Sequence, residues 1–187
     1  MDRREAIREV TMLLGGTLVG AELLASCVPG EKAKDTVAGK EHIAFLNEVG
    51  DTILPPTKTP GAKEADVGSF MLVMVQDCYS PQNKQAFFEG IGKIDEAATK
   101  KSGKKFMQLD AGQRTALLID LDAEQEEYMQ SKKREEPTHY FRMMKELTLL
   151  GYFTSEVGAT QGLRYVAVPG RYDGDVPYKK GDKAWAG

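Results

Sequence analysis

The chain has 187 residues, 41% of them hydrophobic, and its 25 Lys and Arg set against 28 Asp and Glu leave a formal charge of −3. Acids and bases are interspersed, so there is no basic stripe to meet nucleic-acid phosphates, and a role in nucleic-acid binding is excluded. Setting aside an N-terminal signal, roughly 160 residues remain, enough for one domain with a sizeable core and no need of a second.

Residues 1–26 have the layout of a removable export signal. Arg3, Arg4 and Arg8 form a basic start, an apolar stretch runs from about Val10 to Ala25, and Leu24-Ala25-Ser26-Cys27 closes it with small residues. The pair in Asp2-Arg3-Arg4-Glu5-Ala6-Ile7-Arg8 resembles a twin-arginine signal. It departs from that pattern at Asp2, where Ser or Thr is usual, and at Ala6, where Phe is usual. Leu24-Ala25-Ser26-Cys27 resembles a bacterial lipobox, in which the cysteine is acylated and becomes the mature N-terminus. A plain membrane span is the weaker reading, because Glu22 interrupts a run shorter than the roughly 20 apolar residues a span requires. Gly15, Gly16 and Gly20 argue against a core helix. The expectation is export by the twin-arginine translocase and a lipid anchor at Cys27 on the periplasmic side of a bacterial membrane.

Residues 27–39 read as a tether, polar and small over Pro29–Asp35; 40–187 read as a helical domain. Ile43, Leu46, Val49 and Ile53 recur at helical spacing until Pro55-Pro56 ends the helix. A turn-rich loop follows, and a second helix is predicted over Asp66–Tyr79 with Val67, Phe70, Met71, Met74, Val75 and Cys78 on one face. With Cys27 acylated, Cys78 is left without a disulfide partner, and its apolar setting predicts burial as a small hydrophobe. A third helix uses Phe87, Ile91, Ile94 and Ala98. The fourth starts at Asp110, capped through Gln113, and carries Leu117, Leu118, Leu121 and Tyr128. The fifth enters near Pro137, buries Phe141, Met144, Leu147 and Leu150, and stops at Gly151. The fold class predicted is mostly α, about five helices followed by an irregular aromatic, Gly- and Pro-rich tail. That tail is read in two ways: as a partner-facing surface, since aromatics and arginine anchor interfaces, or as a strap folded over its own helices.

Chemistry-bearing motifs are missing. No haem-attachment Cys-x-x-Cys-His occurs, and His42 and His139 stand far apart without metal-ligand spacing, which suits surface or capping roles. Gly103-Lys104 brushes the phosphate-loop pattern, but Lys105 stands where Ser or Thr should hold magnesium, so it reads as a lysine-rich helix end. Asp173-Gly174-Asp175 lacks the rest of a calcium loop and reads as a turn. The acidic run Asp120–Glu127 followed by Lys132-Lys133-Arg134 reads as a solvated helix face. No catalytic and no metal-binding residue is predicted.

Asp51-Thr52-Ile53-Leu54-Pro55-Pro56-Thr57 with Thr59-Pro60-Gly61-Ala62, and then Gly151-Tyr152-Phe153-Thr154-Ser155-Glu156 with Gly158-Ala159 and Arg164-Tyr165, resemble the gluconate 2-dehydrogenase subunit 3 family. The resemblance extends through Val168-Pro169-Gly170, Asp173–Tyr178 and Ala184-Trp185-Ala186. It implies a non-catalytic small subunit of a membrane-associated, flavin-dependent sugar or sugar-acid dehydrogenase. On that resemblance FAD belongs to a large partner of the glucose-methanol-choline oxidoreductase type, haem c to a cytochrome c subunit that often takes the electrons, and no cofactor to this chain. The expected interface residues are Tyr152, Phe153, Arg164, Tyr165, Arg171, Tyr172, Tyr178 and Trp185. The rival reading is a free-standing periplasmic lipoprotein that binds a carbohydrate through the aromatic tail.

Overall fold

A computed structural model of the chain describes residues 37–168, 170–171 and 174–186. Arg3, Arg4, Cys27, the signal, most of the tether and Tyr172 lie outside the described residues. Helix α1, Val37–Ile53, buries Phe45, Leu46 and Val49 along one face and ends before Pro55-Pro56, as the sequence predicts. Helix α2, Val67–Cys78, begins after Asp66, which sits in the left-handed region at φ 49° and makes no side-chain cap of its own. The cap comes from α1 instead: Asn47 Oδ1 accepts from the Gly68 N–H at 2.7 Å while its Nδ2 donates to Asp66 at 2.9 Å. One side chain thereby satisfies an orphan helix donor and fixes the angle between the two helices.

Helix α3, Pro81–Ser102, starts at Ser80, whose hydroxyl accepts from the Asn83 N–H, with Pro81 in the first turn. It ends at Gly103, in the left-handed region at φ 69°, after Lys100 and Lys101 have placed positive charge at the negative end of the helix dipole. Gly103-Lys104 is thus a helix end. A short 3-10 turn, Phe106–Gln108, leads to α4, Ala111–Ser131, whose predicted capping box is present: Asp110 accepts from the Gln113 N–H at 2.8 Å and the Gln113 side chain accepts from the Asp110 N–H at 3.3 Å. Helix α5, Tyr140–Thr154, packs against α1, α2, α3 and α4, so the core is built around it. The mostly helical class is as predicted.

Four details differ from the sequence reading. Cys78 is exposed, because α2 ends there and the following Tyr79 takes the place against the core. Helix α5 starts at Tyr140 rather than near Pro137, since Thr138 is held outside it by donating its N–H to Asn83 and His139 supplies the cap. It also runs past Gly151 to Thr154. Gly151 is an interior position where Phe70 of α2 lies so close that a Cβ would come within 2.7 Å of its ring. The buried face of α5 follows Met144, Leu147, Thr148 and Gly151, which leaves Leu150 turned outward and 47% exposed.

Beyond α5 the chain makes a short π-helical turn at Gly158–Gly162, where the sequence suggested no helical character. Two short strands follow, β1 at Arg164–Tyr165 and β2 at Trp185–Ala186, paired in parallel with Arg164 opposite Trp185 and Tyr165 opposite Ala186.

Candidate partner-docking surface

The two sequence blocks that carry the family resemblance meet in space. The Tyr152 hydroxyl donates to the Pro60 carbonyl at 2.8 Å, joining the end of α5 to the Thr59-Pro60-Gly61-Ala62 turn. The turn is closed by the Ala62 N–H on Leu54 O at 3.0 Å. It is also pinned from the side: Lys63 bonds Glu48 of α1 at 2.7 Å, and Glu48 is shared with Arg114 of α4. Arg114 in turn bonds the carbonyls of Phe106 and Met107 and lies 5.4 Å from the centre of the Phe106 ring. The Lys63 hydrogen bond holds the Glu48 carboxyl below its ordinary range; burial opposes this and the Arg114 charge adds to it.

Tyr152 therefore cannot touch a partner. It is 3% exposed and works as an internal clasp. Phe153, its neighbour, points outward and joins Leu149 and Leu150 in an exposed apolar strip on the C-terminal half of α5. After Ser155 closes the helix with its hydroxyl on Tyr152 O, the chain reaches the strand pair. Arg164 and Trp185 face each other there: the Arg164 N–H donates to Ala184 O at 2.8 Å, and its guanidinium lies 4.7 Å from the centre of the Trp185 ring. Lys183 donates to the Gln161 carbonyl, tying the returning chain to the π-helical turn.

Between those ties, Lys179–Asp182 forms a turn. The Asp182 N–H donates to Lys179 O at 2.9 Å, the Asp182 carboxylate accepts from the Lys179 N–H at 3.0 Å, and Gly181 provides the positive φ of 96°. Tyr178 stands at the entry of this turn, 78% exposed, with Val176 exposed beside it in sequence. An open cleft of about 510 Å³ lies alongside, lined by Thr160, Leu163, Arg164, Tyr165, Gly181, Asp182 and Lys183. Of the predicted interface residues, Phe153, Arg164, Tyr165, Arg171, Tyr178 and Trp185 are exposed, with Arg164 paired with Trp185. Leu149, Leu150 and Val176 are exposed as well and were not among the predicted residues. Their signal was the hydrophobic residue itself, which helical periodicity assigned to the core or left unassigned.

Two titratable groups with shifted pKa values sit at the start of α5. His139 Nδ1 accepts from the Phe141 N–H at 3.3 Å as the cap of α5, and Glu124 lies 3.7 Å from its Nε2. Burial pushes the His139 pKa down, with Glu124 pulling the other way. Burial, with the nearby Glu124 charge, pushes the Tyr140 hydroxyl up to about 12. Among the described residues no group of three or more His, Cys, Asp or Glu is placed to hold a metal ion, and no helix is long and apolar enough to cross a membrane.

A model of the family described as gluconate 2-dehydrogenase subunit 3 matches residues 40–170. The chain belongs to that family. Helices α2–α5, α1 from residue 40 onward, the Tyr152 clasp and β1 lie inside the matched stretch, whereas the Lys179–Asp182 turn and β2 follow it. The family is one of subunits of a dehydrogenase, so association with other chains is part of its character. No curated protein and no solved structure matched the chain.

Proposed function

We propose that this chain is the non-catalytic small subunit of a flavin-dependent sugar or sugar-acid dehydrogenase, that it escorts the folded catalytic subunit through twin-arginine export, and that acylated Cys27 anchors the assembly at the periplasmic face of the membrane. The observation that carries the reading is the exposed apolar strip Leu149, Leu150 and Phe153 at the end of α5, continuous in sequence with a C-terminal arm that displays Tyr165, Tyr178 and Trp185. A group of large exposed apolar side chains marks a surface made for a partner.

The mechanism follows from compartment chemistry. A flavin enzyme acquires its cofactor where flavin is made, so the large glucose-methanol-choline-type subunit folds in the cytoplasm with FAD bound. It docks on this chain and crosses the membrane as a folded complex. One signal, Arg3-Arg4, then serves two proteins. A single acyl chain gives only marginal binding, and further chains on Cys27 make the anchoring stable. A cytochrome c subunit completes the electron path in complexes that have one.

Co-purification tests the proposal. Extracted from membranes in mild detergent, the native protein is expected to emerge with a larger yellow flavoprotein. Recovery only as a monomer under those conditions contradicts the escort role and favours the free-standing carbohydrate-binding lipoprotein, which a direct titration with mono- and disaccharides then examines.

A further inference from the structure

Resting on the reading that this chain docks on a dehydrogenase subunit, we propose that the Tyr178–Asp182 turn is a preformed docking element: Tyr178 seats in an apolar pocket on the folded partner, and carboxylates on that pocket's rim meet Lys179 and Lys180. In this scheme Arg164 and Trp185 are positioning residues that hold the turn.

A turn closed by a backbone hydrogen bond, by the Asp182 carboxylate on the Lys179 N–H and by a left-handed glycine has little freedom left to lose on binding. The chain returning from it is fixed to the π-helical turn by Lys183 on Gln161 O, and to β1 by the Arg164 N–H on Ala184 O and by the Arg164 guanidinium over the Trp185 ring. A turn held so firmly presents Tyr178 with 78% of its surface in water. Internal packing does not account for that exposure, whereas tyrosines set in a partner's pocket are among the commonest interface anchors.

Charge selects the partner. The segment from Arg164 onward carries Arg164, Arg171, Lys179, Lys180 and Lys183 against Asp173, Asp175 and Asp182, an excess of cations in a chain whose total charge is −3. Lys179 and Lys180 directly follow Tyr178 and are exposed. A rim of Asp and Glu around an apolar pocket complements that arrangement and speeds encounter. The open cleft beside the turn, with Tyr165 on its wall, offers a place for a projecting partner side chain. Knob and cleft side by side suit a rigid protein surface; a lipid surface presents no fixed shape to match them.

The test uses the full chain and its native flavoprotein partner, with affinity read by titration and folding checked by thermal unfolding. Tyr178→Ala is expected to weaken the complex at least tenfold at unchanged melting temperature. Trp185→Ala should weaken it comparably, while Trp185→Phe, which keeps a ring for Arg164, retains most of the affinity. Lys179→Glu with Lys180→Glu should weaken it further and reverse the direction of its salt dependence. Wild-type affinity in both Tyr178→Ala and Trp185→Ala, with loss on Leu150→Asp, overturns the inference while leaving the escort function standing. A wild-type chain that forms no complex overturns both. Tyr178-dependent binding to phosphatidylglycerol-containing vesicles without the partner, or Tyr178-dependent self-association, also overturns it by assigning the turn to a membrane or to a second copy.

Discussion

Gly90 and Gly92 lie two residues apart in α3, and Ala at each should move stability in opposite directions. A Cβ on Gly90 would meet Tyr140 Cβ, Cγ and Cδ2 at 2.4, 2.5 and 2.6 Å. Ordinary carbon contacts lie near 3.5–4.0 Å, so the overlap is about 1 Å across three atoms. Tyr140 has little room to retreat: the His139 ring lies 4.3 Å from its own, centre to centre, and Lys93 approaches its face at 5.6 Å. Overpacking costs about 1–3 kcal/mol, and three overlaps of this depth put Gly90 in the upper part of that range, about 2–3 kcal/mol, while relieving an interior glycine returns about 1 kcal/mol of helix propensity. Gly90→Ala is therefore expected to lose about 1–2 kcal/mol, a fall of roughly 3–8 °C in melting temperature for a domain of this size. Gly92 is exposed and a Cβ there meets nothing within 4 Å. Only the propensity gain applies, so Gly92→Ala should raise the melting temperature by roughly 2–4 °C. Thermal unfolding followed by far-ultraviolet circular dichroism reads both variants. A Gly90→Ala protein as stable as the wild type refutes the packing of α3 on α5 described above.

Two further outcomes follow from single residues. His139 is held neutral in the fold by burial, with Glu124 opposing and Lys93 assisting, so its pKa lies below the ordinary 6.5. The unfolded chain binds this proton first, which makes the stabilisation complete above about pH 6.5 and progressively lost as the pH falls through the depressed folded value. Protonation also removes the Nδ1 acceptor that caps α5. His139→Asn keeps a capping side chain that does not titrate, and its stability should fall less than the wild type's between pH 7 and 5; parallel profiles contradict the capping role. Cys78 is exposed, so a thiol reagent should label one site per chain in the native, membrane-extracted protein. No labelling without denaturant contradicts the exposed position, and two labelled thiols contradict acylation at Cys27.

The sequence was most informative where local rules decide the outcome. The proline stop of α1, the capping box at Asp110 and the glycine end of α3 were readable because each depends on residues within one turn. It was least informative where a distant residue intervenes. Asn47 caps a helix that starts twenty positions later, and Phe70 turns Gly151 from an apparent stop signal into a close-packing point. The same limit applied to the docking surface. Aromatic residues after Gly151 looked alike in the sequence, yet Tyr152 is clasped inside by Pro60 while Phe153 faces water. Trp185 looked like a contact residue, and only the strand pairing brings Arg164 onto its ring. Leu150 fits a buried helix by periodicity, and its exposure follows from which helices surround α5.

The central claim is that one signal exports two proteins, and the replacement of Arg3 and Arg4 by lysines tests it most directly. The substitution conserves charge but changes donor geometry, which a receptor specific for paired arginines distinguishes. Fractionation of cells carrying it should find the catalytic subunit in the cytoplasm, folded and flavin-loaded, although its own sequence is unaltered. A catalytic subunit that still reaches the periplasm at wild-type levels contradicts the shared-signal account.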